Sequence, residues 1–87
     1  MAEFRPLDVE LFGKLADPCG AAITISIPAA GCTASELRAL VAAHDAGLGS
    51  LLTTTTVRFC INGRVAAESA RVAPGDDVAL LPPVSGG

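Results

Sequence analysis

The sequence has few aromatic and few basic side chains. It contains three Phe, no Trp and no Tyr, and its six Lys and Arg residues are scattered along 87 residues that carry a net charge of −3. Proteins that bind nucleic acids present clustered Lys and Arg to the phosphates and aromatic rings to the bases. We therefore expect no nucleic-acid partner.

Potential metal ligands are also scarce. The three cysteines, Cys19, Cys32 and Cys60, form no C-x-x-C pair, and His44 is the only histidine. Structural zinc sites and iron–sulfur clusters need about four such ligands at short spacings. We predict no metal site and no permanently bound cofactor, and we interpret the cysteines as small buried hydrophobic residues with one or two inert surface thiols.

Long apolar runs are missing as well. No stretch approaches the ~20 apolar residues of a membrane span, and residues 1–6 lack the charged start and apolar segment of a signal peptide. We expect a cytoplasmic protein with no membrane partner.

What the sequence does contain is aliphatic, with 51% hydrophobic residues. One domain of this size buries only about 60% of the surface that its unfolded chain exposes. A ligand pocket of ~300–1,000 Å³ is difficult to build in so small a body. The composition favours a carrier or binding module over an enzyme that acts on its own.

The first third of the chain predicts an antiparallel hairpin, because apolar and polar residues alternate in two segments separated by turn residues at 17–20. The predicted inward side chains are Leu7, Val9 and Leu11 in the first strand, and Ile23, Ile25 and Ile27 in the second.

A helix is predicted next. Thr33 and Glu36 have the spacing of a capping box, and apolar residues then recur at helical spacing through Leu37, Leu40, Val41 and His44. Gly47 is predicted to end the helix. Residues 48–56 leave two alternatives, a loop or an edge strand, with Leu51 and Leu52 buried beneath it.

The second half predicts three strands, at 57–61, 64–67 and 77–81. Asn62-Gly63 marks a two-residue hairpin turn whose central residues need positive φ. Residues 68–73 are predicted as a polar connection and 74–76 as a turn. The last strand lacks polar alternation, which predicts that both its faces are covered.

This order predicts an α+β fold, the ubiquitin-like β-grasp, with a mixed sheet of about five strands and one main helix packed across it. We assign residues 1–81 to the domain and 82–87 to an extended C-terminal tail with a flexible Gly-Gly end. Pro82 and Pro83 cannot continue a sheet ladder, and Gly86 and Gly87 can thread a narrow slot. The Gly87 carboxylate becomes reactive only after activation, for example as an acyl-adenylate.

The ending from Gly75 to Gly87 resembles the C-terminal signature of the small subunit of molybdopterin synthase, the MoaD family of ubiquitin-like sulfur carriers (MoaD/ThiS superfamily). Residues 9–15 resemble its first strand, 33–43 its helix and 57–65 its central hairpin. The resemblance implies that a MoeB-type adenylating enzyme uses ATP to activate Gly87, and that a sulfurtransferase system converts the carboxylate to a thiocarboxylate. The tail then enters the MoaE-type large subunit, which transfers the sulfur to cyclic pyranopterin monophosphate during molybdenum cofactor biosynthesis.

The resemblance also implies the residues of the site. Gly87 carries the adenylate and the thiocarboxylate, and Gly86 precedes it. The implied partner-binding residues are Phe12, Val65, Leu81, Pro82, Pro83, Val84 and Ser85. Core packing is the alternative for Phe12 and Val65, although Phe12 breaks the inward register of its strand and is therefore expected to be exposed.

Three other functions are open. The chain could carry sulfur for thiamine thiazole, cysteine or tRNA thiolation, although Pro82 to Ser85 favour the molybdopterin branch. It could be a modifier that is conjugated to lysines, as ubiquitin is. It could also be an inert β-grasp interaction module, since a terminal Gly-Gly alone is weak evidence.

Overall fold

The computed structural model describes residues 3–54 and 57–82, with Thr53 and Thr54 described by their backbone alone. In chain order the elements are β1 (Phe4–Leu11), a 3-10 helix (Gly13–Ala16), β2 (Ala22–Pro28), β3 (Cys32–Thr33), α1 (Ala34–His44), α2 (Ala46–Thr54), β4 (Arg58–Ile61), β5 (Arg64–Val65), β6 (Arg71–Val72) and β7 (Val78–Leu81). The tail residues 83–87 lie outside the described residues.

Five strands form one mixed sheet in the order β2-β1-β7-β4-β5, and β3 pairs with β6 in a separate two-stranded sheet. The first strand lies beside the last in parallel, with Val9 opposite Val78 and Leu11 opposite Leu80. This pairing of β1 with β7 defines the β-grasp. The predicted fold class is confirmed, with two helices packed on the sheet instead of one.

The opening hairpin is confirmed in its register. Leu7 lies opposite Ile25 and Val9 opposite Ile23. A backbone hydrogen bond extends the ladder at each end, from the Leu11 N–H to the Ala21 carbonyl and from the Ala29 N–H to the Glu3 carbonyl. All six predicted inward residues of the two strands are at most 6% exposed. The alternation of apolar and polar residues therefore placed the first two strands correctly, because one face of the sheet is buried and the other is open.

The predicted capping box starts α1. The Glu36 backbone N–H donates to Thr33 Oγ1 at 3.1 Å, and the Thr33 backbone N–H donates to the Glu36 carboxylate at 2.8 Å. The bond from the Thr33 backbone N–H, followed by a second one from the Thr33 hydroxyl, lowers the pKa of Glu36. Leu37 and Val41 are fully buried beneath the helix, whereas His44 is exposed at its last residue.

The prediction that Gly47 ends the helix is wrong. α1 ends at His44, and Asp45 is extended and starts a second helix by accepting the Leu48 backbone N–H at 3.0 Å. The Asp45 carboxylate, which also accepts from Cys19, has a lowered pKa, with the Leu48 bond as the largest cause. Gly47 therefore lies in the first turn of α2.

The segment left open between loop and edge strand is helical through Thr54, and Thr55 and Thr56 lie outside the described residues. Leu48 and Leu52, four residues apart, are buried, and Leu51 is half-buried. Gly49 allows α1 and α2 to approach closely, because a Cβ there would lie 2.8 Å from the carbonyl oxygen of Ala42. This tertiary packing outweighs the weak helix propensity of Gly and Thr.

The predicted turn at Asn62-Gly63 is confirmed, with φ of 52° and 83°. The return strand β5 is shorter than the predicted 64–67, and the predicted polar connection at 68–73 contains β6, which pairs Val72 with Cys32. The prediction that β7 is covered on both faces is wrong. Val78 and Leu80 are buried while Ala79 and Leu81 are half-buried, because both helices pack on one side of the sheet.

Arg38 connects α1 to Val57, just before β4, and to Glu68, in the segment after β5. Its guanidinium donates to the Val57 carbonyl oxygen at 2.9 Å and to both Glu68 carboxylate oxygens at 3.0 and 2.8 Å, and it lies 5.5 Å from the centre of the Phe59 ring. The hydrogen bond from Arg38 lowers the pKa of Glu68. The guanidinium thus satisfies a carbonyl at a residue that is only 3% exposed.

We predict that Arg38→Met destabilises the protein by about 1–3 kcal/mol, because the substitution keeps the apolar stem but leaves the Val57 carbonyl without its donor. Urea unfolding measures the change. Arg64→Met, on exposed β5, is the matched control and should stay within about 0.5 kcal/mol of wild type. Equal unfolding midpoints for the two variants would contradict this role of Arg38.

Candidate functional site

The tail begins where β7 leaves the sheet, and Pro82 is the last described residue. Gly86 and Gly87, predicted to carry the chemistry, lie outside the described residues, as do Pro83, Val84 and Ser85. The described part of the site is therefore the surface around the base of the tail.

Gly13 contacts that base. It follows β1 with φ of +59°, and a Cβ at this position would lie 3.1 Å from Pro82 Cγ. A larger residue would need both an unfavourable backbone conformation and a displaced proline. Gly13 was not among the predicted site residues. The break in alternation after Leu11 was the signal in the sequence that the chain turns at this point.

The side of the sheet that carries no helix is here called the open face. Cross-strand neighbours on it form two rows. In one row Glu10 lies beside Ala79, Ala79 beside Cys60, and Cys60 beside Val65. In the other row Leu81 lies beside Arg58, and Phe12 reaches the end of β7 through its backbone N–H, which donates to the Leu80 carbonyl at 3.3 Å.

These rows bring three of the predicted partner-binding residues, Phe12, Val65 and Leu81, onto one surface. We define the apolar patch as Phe12, Cys60, Val65, Ala79 and Leu81. Phe12 is 45% exposed and Val65 59% exposed, so the alternative of core packing is wrong for both. A shallow depression of about 350 Å³ runs between Phe12, Cys60 and Leu81.

Two members of the apolar patch were not predicted. Ala79 and Cys60 are half-buried side chains between larger neighbours. The alternation of side chains along β7 could have identified Ala79, because Leu81 and Ala79 are two residues apart and must share a face. Cys60 is its neighbour on β4. The assumption that both faces of β7 are covered hid this signal.

Charges border the apolar patch on opposite sides. Arg58 is exposed beside Leu81, whereas Glu10 and Asp77 are exposed at the far end of the same depression. The Asn62 side chain fixes this far end, since its Oδ1 accepts the Asp77 backbone N–H at 2.9 Å and its Nδ2 donates to Asp76 at 3.2 Å. The hairpin turn is thereby tied to the start of β7.

The thiols of Cys19 and Cys32 are not activated as nucleophiles. Burial is the largest cause of a raised pKa at Cys19 and also at Cys32, and at Cys19 a hydrogen bond to Asp45 adds to it. A raised pKa favours the neutral thiol, and the thiolate is the reactive form. Cys60 is a free thiol within the apolar patch.

Within residues 3–54 and 57–82, no three His, Cys, Asp or Glu side chains are grouped closely enough to hold a metal ion. Across the same part of the chain, no helix has both the length and the apolar character needed to cross a bilayer.

Comparisons with known structures show the same fold. SAMP1 from Haloferax volcanii is 24% identical with a TM-score of 0.77 over 95% of this chain and 100% of its own. Another structure, small archaeal modifier protein 1 of H. volcanii, is 22% identical with a TM-score of 0.76, covering 91% of this chain and 98% of its own.

A protein from Pyrococcus furiosus that carries the name molybdopterin converting factor, subunit 1, is 18% identical with a TM-score of 0.72. The match covers 91% of this chain and 98% of that protein. A sequence comparison with curated proteins finds no match. The model of the ThiS family matches residues 9–87, which include the end of β1, the apolar patch and the tail. The chain therefore belongs to the ThiS family, with the ubiquitin-like fold that sulfur carriers and modifiers of the ThiS/MoaD type share.

Proposed function

We propose that this chain is the sulfur carrier subunit of a molybdopterin synthase and that the Gly87 carboxylate is its working group. The observation that carries the proposal is the apolar patch at the point where β7 passes into the tail, within a family match that extends to Gly87. A carrier needs a docking surface beside its reactive end, and it needs no catalytic residues of its own.

The chemistry requires an activating partner. The Gly87 carboxylate is ionised at neutral pH and is a poor electrophile. It attacks the α-phosphate of ATP in a MoeB-type enzyme, forming the acyl-adenylate and releasing pyrophosphate. The persulfide of a sulfurtransferase then displaces AMP to give an acyl persulfide, and attack of a thiol on its S–S bond releases the thiocarboxylate and leaves a disulfide. The sulfur of the thiocarboxylate is passed on to cyclic pyranopterin monophosphate in the MoaE-type subunit.

The apolar patch supplies the binding free energy that the tail cannot supply. Ordering the backbone of four tail residues costs about 1–2 kcal/mol per residue. Burying one Phe, Val or Leu side chain gains about 1.5–3 kcal/mol. Phe12, Val65 and Leu81 are already partly buried, so a partner surface that covers all three gains about half of this free energy per side chain and offsets part of the cost of ordering the tail.

A protein modifier is the second candidate function, favoured by the structural similarity to small archaeal modifier protein 1. A carrier for thiamine thiazole, cysteine or tRNA thiolation uses the same first steps. These alternatives differ in what receives the activated Gly87, and they share the apolar patch and the tail.

We predict a mass gain of about 16 Da, one oxygen replaced by sulfur, when the protein is incubated with ATP, an adenylating enzyme and a sulfur source. Intact-mass spectrometry measures it. A variant with one residue appended after Gly87 should show no gain while it unfolds at the same temperature as wild type. An unchanged mass for the wild-type protein, with an adenylating enzyme active on another carrier, would refute the carrier role.

The product that forms from the thiocarboxylate protein shows which molecule receives the activated Gly87 or its sulfur. Molybdopterin formed with a MoaE-type subunit supports the synthase role. Stable adducts on lysines in a lysate, lost when Gly87 is deleted, would instead support the modifier role.

We predict that Val65→Asp weakens binding to the adenylating enzyme by 10-fold or more, because it places a charge in the contact and removes about 1.5 kcal/mol or more of apolar burial. Isothermal titration calorimetry measures the affinity. Phe4→Asp is the matched control, since Phe4 is also 59% exposed but lies at the start of β1, outside the apolar patch. Equal losses in both variants would exclude the apolar patch as the docking surface.

We predict that Gly13→Ala slows thiocarboxylate formation several-fold, because the new Cβ displaces Pro82 and changes the direction of the tail. Gly20→Ala is the control. Gly20 also has positive φ, +91°, but a Cβ there would meet nothing within 4 Å. Both substitutions should lower stability by about 1 kcal/mol. Only Gly13→Ala should raise the KM of the activating enzyme for the carrier, and equal KM values would disprove the positioning role.

A further inference from the structure

The strand β2 forms one edge of the five-stranded sheet, and its outer backbone groups can be identified from the ladder with β1. The Leu11 N–H donates to the Ala21 carbonyl and the Ala29 N–H donates to the Glu3 carbonyl, both at 2.8 Å. Hydrogen-bonded and non-hydrogen-bonded pairs alternate in an antiparallel ladder. The odd-numbered residues of β2 therefore bond to β1, and the N–H groups of Ala22, Thr24 and Ser26 point away from the sheet.

Within the described part of the chain, no backbone partner is assigned to these three N–H groups. Natural proteins commonly protect such an edge with charges, bulges or short strands. β2 has seven residues, Ala22–Pro28, and none of them is charged. Pro28 at its end is the one protective residue. The opposite edge, β5, has two residues and carries Arg64.

The edge also borders a shallow groove of mixed polar and apolar character. Thr24, Ile25 and Ser26 line one side of it, and Leu40, Ala43 and His44 of α1 line the other, enclosing about 310 Å³. A strand added beside β2 would cover this groove and continue the buried layer that Ile23, Ile25 and Ile27 form beneath α1.

We propose that β2 pairs with β2 of a second copy of this chain, antiparallel about a two-fold axis. With Thr24 opposite Thr24, Ala22 lies opposite Ser26, and every outward N–H of the three residues meets a carbonyl of the other copy. The two sheets become one continuous sheet, and the two α1 grooves meet across the axis. Because the outer edge of each β2 is paired in this contact, no β2 edge is left for a third copy, and the assembly closes as a dimer.

Charge does not oppose this pairing. Two acidic residues lie one strand away from the edge: Glu10 opposite Ala22, and Asp8 opposite Thr24, whose hydroxyl donates to Asp8 at 2.8 Å. The two Asp8 residues of a dimer would be separated by three strand spacings, about 14 Å. This distance exceeds the screening length of about 8 Å at physiological ionic strength. The uncharged edge therefore fits a second copy of itself.

The pairing leaves the apolar patch free. That patch lies on β7, β4 and β5 and the residue after β1, whereas the contact is on β2 at the other side of the sheet. The proposal does not depend on the sulfur carrier function, and both surfaces can be occupied at the same time.

Sedimentation analysis of the full chain at rising concentration tests the proposal. The wild-type protein should shift from the 8.7 kDa of one copy to twice that mass. Ser26→Lys places a charged side chain on the edge, opposite Ala22 of the other copy, as natural edge strands do to avoid pairing, and should weaken association several-fold. Ser69→Lys, in an exposed turn between β5 and β6, is the matched control and should dimerise as wild type does.

Amide hydrogen exchange locates the contact. Protection of the Thr24 and Ser26 N–H groups should rise with protein concentration in wild type and in Ser69→Lys, and it should stay low in Ser26→Lys. A wild-type chain that remains monomeric at millimolar concentration overturns the proposal, even if an added extended peptide protects these amides. A dimer that Ser26→Lys leaves intact, with both amides exchanging freely, also overturns it.

Discussion

The parallel pairing of β1 with β7 is the contact on which the rest of the molecule depends. It joins the two ends of the sequence at the centre of the sheet, with Leu11 beside Leu80, and so sets the place where the tail starts. Parallel neighbours need a long crossover between them. Both helices and the remaining strands lie within that crossover, and the two helices pack on one face of the sheet. The other face stays open at Phe12 and Leu81.

The two faces of β7 have different roles in this arrangement. Val78 and Leu80 contribute to the core, while Ala79 and Leu81 form part of the apolar patch. One four-residue strand therefore supports both the fold and the surface beside the tail. Under the proposed function, this sharing places a docking surface directly beside the reactive end of the chain.

The sequence alone was sufficient for the elements that follow a strict local rule. Alternation placed the inward residues of β1 and β2, the Thr33–Glu36 spacing located the start of α1, and Asn62-Gly63 located the hairpin turn. It was insufficient where tertiary contacts outweigh local preference. α2 forms in a segment rich in Gly and Thr because Leu48 and Leu52 are buried there. Gly13 became part of the site only through its contact with Pro82, a residue 69 positions away along the chain.

The predicted site residues divide into those on the open face and those in the tail. Phe12 and Val65 are exposed, as a partner-binding role requires, but their partners lie outside the chain. The roles of Gly86 and Gly87 rest on the chemistry of the tail and on the family match.

The position of β7 between β1 and β4 has a mechanical consequence. A partner that pulls on the tail applies force along the axis of β7, parallel to the ladders on both of its sides. Such a load acts in shear, so the backbone hydrogen bonds of two ladders must yield together and cannot open one after another. A hairpin strand at an edge of the sheet would unzip under the same force. Under the proposed function, repeated insertion and withdrawal of the tail should therefore leave the body of the domain folded.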